Sequence, residues 1–194
     1  VAAALLLALT LVVSARAQAA PAPAPAPGPG TASAGPLAHP ARDVDVTYRI
    51  ADGRRVIVER MRWLAAARRQ RLDPAGAGLF VLIDFNAHTM QTVRLAERAV
   101  LDVAAPEVAD APYTREGEDS VAGLACTDWE ATATDGRPTV ACITDDGVTL
   151  RASVAGRTLL TAVSVDYAPQ DPALFVAPSG FTVQRPDGAA GSRP

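Results

Sequence analysis

Cys126 and Cys142 are the only cysteines in the chain. A thiol pair can ligate a metal, run redox exchange or close a disulfide. Their spacing is far from the C-x-x-C that lowers a thiol pKa, which weakens a redox role. A zinc cluster needs more soft ligands than one histidine, His88, and this pair can supply. In an exported chain an even count of two suggests one disulfide, with two free thiols as the alternative. Closing a loop of this length stabilises by about 3 kcal/mol on the chain-entropy model.

Other chemistry finds less support. A nucleophile triad needs a base beside the nucleophile. His88 sits in an expected turn, Asn86-Ala87-His88, and no G-x-S-x-G elbow is present. Asp145-Asp146-Gly147 lacks the spaced oxygens and closing Glu of a calcium loop and reads as a hairpin turn. Acids are frequent in residues 101–130, but loop acids are usually just solvated. The expectation is a non-enzymatic protein with no catalytic residue, no metal site and no cofactor.

These residues must be positioned by what surrounds them. Residues 1–13, VAAALLLALTLVV, are apolar or small throughout. That is short for a spanning helix, which takes about 20 residues, and suits a signal-peptide core. SARAQA follows, with cleavage expected after Ala19 or, alternatively, Ala17; an uncleaved anchor is the competing reading. Residues 1–19 are therefore read as a signal peptide, which leaves no stable membrane span and makes the protein periplasmic or secreted. Residues 20–41 are a Pro/Ala-rich disordered linker, because alternating Ala-Pro favours polyproline II over helix. His39 falls there without an assigned role. A single β-rich domain occupies 42–186 and a disordered tail 187–194.

The 18 basic residues are all Arg, and the net charge is −3. A mildly acidic chain is a poor nucleic-acid binder. Charge is nevertheless uneven. Residues 42–71 hold nine Arg against four acids, and residues 101–146 hold eleven acids against two Arg. Such asymmetry creates a field that could greet an anionic surface or an acidic partner, with Arg54, Arg55, Arg68 and Arg69 as the basic candidates. Alternatively, the charges neutralise one another across strands.

Period-two alternation dominates the domain. Val44, Val46, Tyr48 and Ile50 share one face, with Asp43, Asp45, Thr47 and Arg49 on the other. Asp52-Gly53 makes a hairpin turn. RRVIVERMRW begins as a strand, but its strand character weakens after Glu59. Asp73-Pro74 with Gly76 and Gly78 breaks the chain. LFVLIDF, residues 79–85, reads as a strand buried on both faces. TMQTVRL returns, AVLDV extends it or stands apart, and residues 104–120 read as an acidic loop. A hairpin turning at Asp135-Gly136 carries the two cysteines on opposing arms. Ideal pairing across that turn sets Cys126 opposite Asp145, so a bridge demands a bulge, another register or splayed arms. VTLRASVAG and TLLTAVSVDYAP add strands, and FVAPSGFTVQ is irregular and then extended. Short turns between strands favour an antiparallel meander.

Several segments together resemble a known family. They are Arg71-Leu72-Asp73-Pro74, LFVLIDF, Gly123-Leu124-Ala125-Cys126, the run from Cys142 to Arg151, and the ending Phe175-Val176-Ala177-Pro178-Ser179-Gly180-Phe181. In that order they resemble an uncharacterised exported proteobacterial family related to the LolA-like lipoprotein-carrier superfamily. The resemblance covers residues 42–186. It implies a mainly β fold: an antiparallel sheet curled into an incomplete, half barrel, with one or two short helices on the open side. Relatives of that shape hold acyl chains in the hollow. The chain departs from the carrier in its cysteine hairpin and its lack of clear lid helices.

Two functions follow as expectations. One is binding of lipid or another hydrophobic ligand in the concave face, with Val44, Val46, Tyr48, Val81, Ile83 and Phe85 as lining candidates chosen by alternation. The other is a structural or partner-binding module of the cell envelope with a filled core and an envelope protein as partner.

Overall fold

The computed structural model describes residues 35–106, 112–133 and 135–186. The leader, most of the linker and the tail lie outside the described residues. Twelve strands form one open sheet in the order β12-β6-β5-β4-β3-β2-β1-β11-β10-β9-β8-β7. The strands are β1 (Val44–Asp52), β2 (Arg55–Leu64), β3 (Arg69–Pro74), β4 (Leu79–Asp84), β5 (Thr89–Arg94) and β6 (Ala99–Ala104). A second run supplies β7 (Thr114–Val121), β8 (Leu124–Thr132), β9 (Pro138–Ile143), β10 (Thr149–Val154), β11 (Arg157–Asp166) and β12 (Thr182–Gln184). Each run is a meander, and β1 joins them by pairing with β2 on one side and β11 on the other.

The fold is the mainly β, unclosed half-barrel that the resemblance implied. Among the described residues, short helices amount to two single 3-10 turns, Ala65–Ala67 and Pro172–Phe175. Pairing is antiparallel except between β12 and β6, which is parallel. Three stretches differ from the sequence expectation. β2 continues through Leu64, because Met61 and Trp63 keep the inward period while Arg60 and Arg62 face out to Asp45 and Asp73. β3 runs through Asp73 and Pro74, which had been read as a break. Thr114–Val121, read as loop, is a strand. It is the terminal strand among the described residues and mostly exposed, so it needs no apolar alternation, only the ladder to β8.

Cross-strand register fixes the faces. Val44 opposes Trp63, and Val46 opposes Met61. Trp63 and Met61 in turn oppose Gln70 and Leu72, which oppose Ile83 and Val81. All these side chains lie on one face. That face is concave, because Cys126, Cys142, Val148 and Leu150 from the second meander pack in one buried cluster with Val44, Val46, Met61 and Trp63. Bulges in β1 and β10 admit the extra bend.

The convex face is ionic at one end and apolar at the other. Arg60 Nε donates to Asp45 Oδ1 at 2.8 Å, Arg62 Nη1 to Asp73 Oδ2 at 2.6 Å, and Arg69 Nε to Asp84 Oδ2 at 2.8 Å. Of the nine Arg in residues 42–71, Arg42, Arg60, Arg62, Arg69 and Arg71 pair with carboxylates, most of them on neighbouring strands. Beyond Arg71, whose guanidinium lies 3.8 Å over the Phe80 ring, a second cluster of Phe80, Leu82, Val93 and Val100 is packed by Ala177 and Phe181. β4 is accordingly apolar toward both faces.

The cysteine arms pair one residue away from the ideal expectation: Asp128 opposes Cys142 and Thr127 opposes Ile143. One residue decides the outcome, because side chains alternate along a strand. Expected pairing would put the two cysteines on opposite faces. Observed pairing puts them on one face, two positions apart on the ladder. Their sulfur atoms are at bonding distance, 2.03 Å, with the Cα atoms 5.4 Å apart.

Candidate functional site

The concave face holds a hollow of about 340 Å³ beside β1, β2 and β3. Its wall is Tyr48, Met61, Trp63 and Leu72, joined by Leu160 and Ala152 from the second meander. Glu59 and Gln70 add polar groups. Strand geometry spaces this wall. Glu59, Met61 and Trp63 share one face of β2, so the Glu59 and Trp63 backbones are about 13 Å apart, at roughly 3.3 Å per residue.

Residues 38–40 cross the open side of this hollow as a strap. The His39 ring stacks on Trp63 with centroids 5.1 Å apart and meets Phe85 at 4.4 Å. The strap is pinned at the β9–β10 turn. There Ala41 N donates to Asp146 O at 2.8 Å, and Arg42 Nε to Asp146 Oδ2 at 2.7 Å. Gly147 has φ +89°, and a Cβ there would lie 2.5 Å from His39 O. Only glycine lets the strap backbone approach this closely. On the strap's other flank a second hollow of about 340 Å³ is lined by Leu37, Ala38, His39, Pro40, Trp63, Ala65 and Arg68.

Electrostatics follow the burial. Burial pushes the Tyr48 phenol well above its ordinary value, with Glu59 and Tyr167 adding to it; its hydroxyl donates to Thr149 O at 2.7 Å. Burial also raises the Glu59 carboxyl, and Asp73 nearby raises it further. Desolvation and then the Arg68 charge lower His39, so the ring on Trp63 is neutral at pH 7. Burial alone would raise Asp146. Hydrogen bonds from Thr144, Arg42 and Tyr167 outweigh it and hold that carboxyl below the ordinary range.

Of the six lining residues chosen by alternation, Tyr48 lines the hollow. Val44 and Val46 share its face but are sealed in the core at 0% exposure. Phe85 reaches the site through Trp63, with centroids 5.5 Å apart. Val81 and Ile83 continue the same face farther along, half-buried. Sequence reasoning missed Met61, Trp63, Gln70, Leu72 and Leu160. Extending the period of two past Glu59 would have found the first two. No pattern signals His39, which sits among linker residues. His88 is an exposed turn residue with φ +53°. Arg54 and Arg55 stand at one end of the ten-residue strand β2, and Arg68 and Arg69 lie past the other. They do not make one basic face.

A broader depression of about 700 Å³ lies between β7, β8 and the strap's anchor, lined by Glu118, Asp119, Asp145, Asp146, Arg42 and Tyr167 among others. It is larger, and its lining mixes these charged groups with Leu124, Ala125, Cys126 and the Tyr167 ring. Among the described residues no group of three or more His, Cys, Asp or Glu could hold a metal. No helix there is long and apolar enough to cross a membrane.

No protein-family model and no curated protein matches the chain. Solved structures do match. An uncharacterized conserved protein from Thermus thermophilus superposes with a TM-score of 0.59 at 15% identity, over 75% of this chain and 91% of that one. The MucB of a Pseudomonas aeruginosa MucA/MucB complex gives 0.52 at 15% identity, over 73% of this chain and 58% of that one. PNGF-II gives 0.52 at 12% identity, over 75% of this chain and 32% of that one. The likeness is one of fold. The chain spans about three-fifths of the MucA-partnered match and about a third of PNGF-II.

Proposed function

We propose that this chain is an exported, non-enzymatic protein that takes lipid or another hydrophobic ligand into the concave face of its half-barrel. The observation that carries this reading is the hollow walled by Met61, Trp63, Leu72 and Leu160 beneath the strap. At about 340 Å³ it lies near the lower end of the range of small-molecule clefts, roughly 300–1,000 Å³. The half-buried Val81, Ile83, Met90, Leu101 and Val103 prolong the apolar wall along β4, β5 and β6. A disulfide and an apolar leader fit an oxidising compartment such as the periplasm. The test is to purify the processed protein from its native compartment, extract it with organic solvent and search the extract for acyl lipid by mass spectrometry. Stoichiometric lipid is expected. An empty extract, together with no uptake of a fluorescent fatty acid, would overturn the reading.

A second reading, an envelope module that holds a partner protein, draws on a different place. Glu118, Asp119, Asp145 and Asp146 line the broad depression beside the terminal strand β7, and one fold neighbour was solved bound to MucA. On this reading the partner offers a basic, extended segment. Its binding should weaken with added salt and with Glu118→Gln plus Asp145→Asn. Binding indifferent to both would dismiss it.

A further inference from the structure

Among the described residues most arginines are held in ion pairs, and Arg49, Arg54, Arg55, Arg68, Arg98 and Arg157 are in none. Arg68 lies by the strap, and Arg98 lies 5.4 Å over the Phe181 ring. The other four are exposed and gather at one end of the sheet, where β1 turns into β2 and β10 into β11. Arg54 is in the first turn and Arg55 opens β2. Arg157 opens β11, and its Nη2 donates to Gly53 O at 3.1 Å, which ties the two turns together. Arg49 stands opposite Val58 on β2 and Thr161 on β11. Asp52, opposite Arg55, is the one acid in these two turns. The neighbouring β8–β9 turn is bonded to the second through Ala155 N and Pro138 O at 2.8 Å. It adds Arg137 paired with Asp135, and so no net charge.

The same end leaves apolar side chains in water. Val56 is 67% exposed and Val58 44%. Two apart on β2, they share one face with their cross-strand partners Ala51 and Arg49. Met61 and Trp63 point to the other face, so these valines do not border the concave hollow. The site is poorly shaped for a protein. Strands β2, β1, β11 and β10 are adjacent, and at roughly 4.8 Å per strand their turns make an edge about 15 Å across. A stable protein interface takes about 800 Å² from each partner. A bilayer surface needs no matching relief. It needs guanidinium groups that reach headgroup phosphates, and apolar side chains beside them.

We propose that this end of the sheet docks the domain on an anionic lipid surface, with Arg49, Arg54, Arg55 and Arg157 at the headgroup phosphates and Val56 entering the headgroup layer. The chain's net charge is −3, so an anionic surface attracts this end and repels the rest, which fixes the orientation. Arg54 and Arg55 thus act with Arg157 across two turns, and not with Arg68 and Arg69 past the other end of β2. The inference is independent of what the concave hollow holds.

The experiment is co-sedimentation of the processed protein with vesicles of phosphatidylglycerol and phosphatidylethanolamine, and with vesicles of phosphatidylcholine alone. Wild type should bind the anionic vesicles, come off in added salt and leave the neutral vesicles alone. Each arginine near an anionic surface is worth about fivefold in partitioning. Arg54→Ser with Arg55→Ser should therefore weaken binding by at least about tenfold. Arg94→Ser with Arg115→Ser removes the same charge from arginines paired elsewhere and should leave binding nearly unchanged. A polarity-sensitive dye on Val56→Cys should shift to shorter wavelength on anionic vesicles, and the same dye on Leu95→Cys, at a residue 49% exposed, should not. No binding to anionic vesicles overturns the inference. Equal loss in the two double variants also overturns it, by reducing the effect to net charge. Equal binding to neutral vesicles does the same, because apolar contact or lipid uptake would then explain it. Capture of polyglutamate that depends on Arg54 and Arg55, without vesicle binding, would assign this end to an acidic protein and is equally fatal.

Discussion

The concave wall is apolar from β1 to β6, yet its two ends differ in what they face. At β1 and β2, Val44, Val46 and Trp63 are buried against Val148, Leu150 and the cysteine pair, which the curl of the second meander brings opposite. At β4, β5 and β6, Val81, Ile83, Met90, Leu101 and Val103 belong to neither buried cluster and stay half-exposed. The hydrophobic pattern is the same at both ends; the counterpart is not. One end is core that holds the curl shut, and the other is half-exposed apolar surface, which the proposed ligand would cover, with the Trp63 hollow at the boundary between them.

That contrast is breakable. The largest expected effect is Leu150→Ala, at 0% exposure, which should lose about 3–4 kcal/mol in urea unfolding through transfer and cavity terms. Ile83→Ala on the half-exposed end should lose less than about 1 kcal/mol by the area argument. Equal losses would mean that both ends are core and the contrast is false.

Next in size is the sulfur bridge. Cys126→Ala with Cys142→Ala should cost about 3 kcal/mol, and dithiothreitol should bring wild type down to the same midpoint. A double variant as stable as wild type would show that the second meander curls without the bond.

Gly147→Ala should act at the boundary itself. The new Cβ would meet His39 O, so the strap must lift and Trp63 loses its stacked imidazole. In a Trp129→Phe background the Trp63 emission should move to longer wavelength, with a stability loss of about 1–3 kcal/mol from overpacking. Unchanged emission would show that the strap is not what seals the indole.

The smallest effect is electrostatic. Asp146 has its folded-state pKa held below the unfolded value, so its stabilisation is present above about pH 4 and is lost as pH falls through the folded value. Wild type should therefore lose strap anchoring in acid, and Asp146→Asn should show a flatter acid limb in a pH titration of stability. An acid limb unchanged by that substitution would remove Asp146 as the anchor.

Much of the wall could be read from residue order. Period-two alternation in DVDVTYRI placed Val44, Val46 and Tyr48 on one face, and the register agrees. Alternation cannot say which inward residues meet a counterpart, because that depends on strands remote in sequence closing the curl. Three signals misled for physical reasons. Strand character weakened past Glu59, although Arg60 and Arg62, as strand residues, serve the ionic ladder to Asp45 and Asp73. Thr114–Val121 has no alternation, since an edge strand exposed on both faces needs none. His39 lay in a segment read as linker up to residue 41, whereas residues 38–40 pack on the sheet; the contact depends on a glycine at position 147, far along the chain. The resemblance supplied the half-barrel, which alternation alone did not.

On the proposed function the concave hollow accepts an apolar guest. The direct measurement is a fluorescence titration of N-phenylnaphthylamine into wild type, Leu72→Asn and Val56→Asn. Leu72 lines the hollow, and Val56 is 67% exposed on the far hairpin. Wild type and Val56→Asn should bind the dye saturably at one equivalent, and Leu72→Asn should bind it at least tenfold more weakly. Dye binding that fails to saturate, or that survives Leu72→Asn undiminished, would contradict the claim.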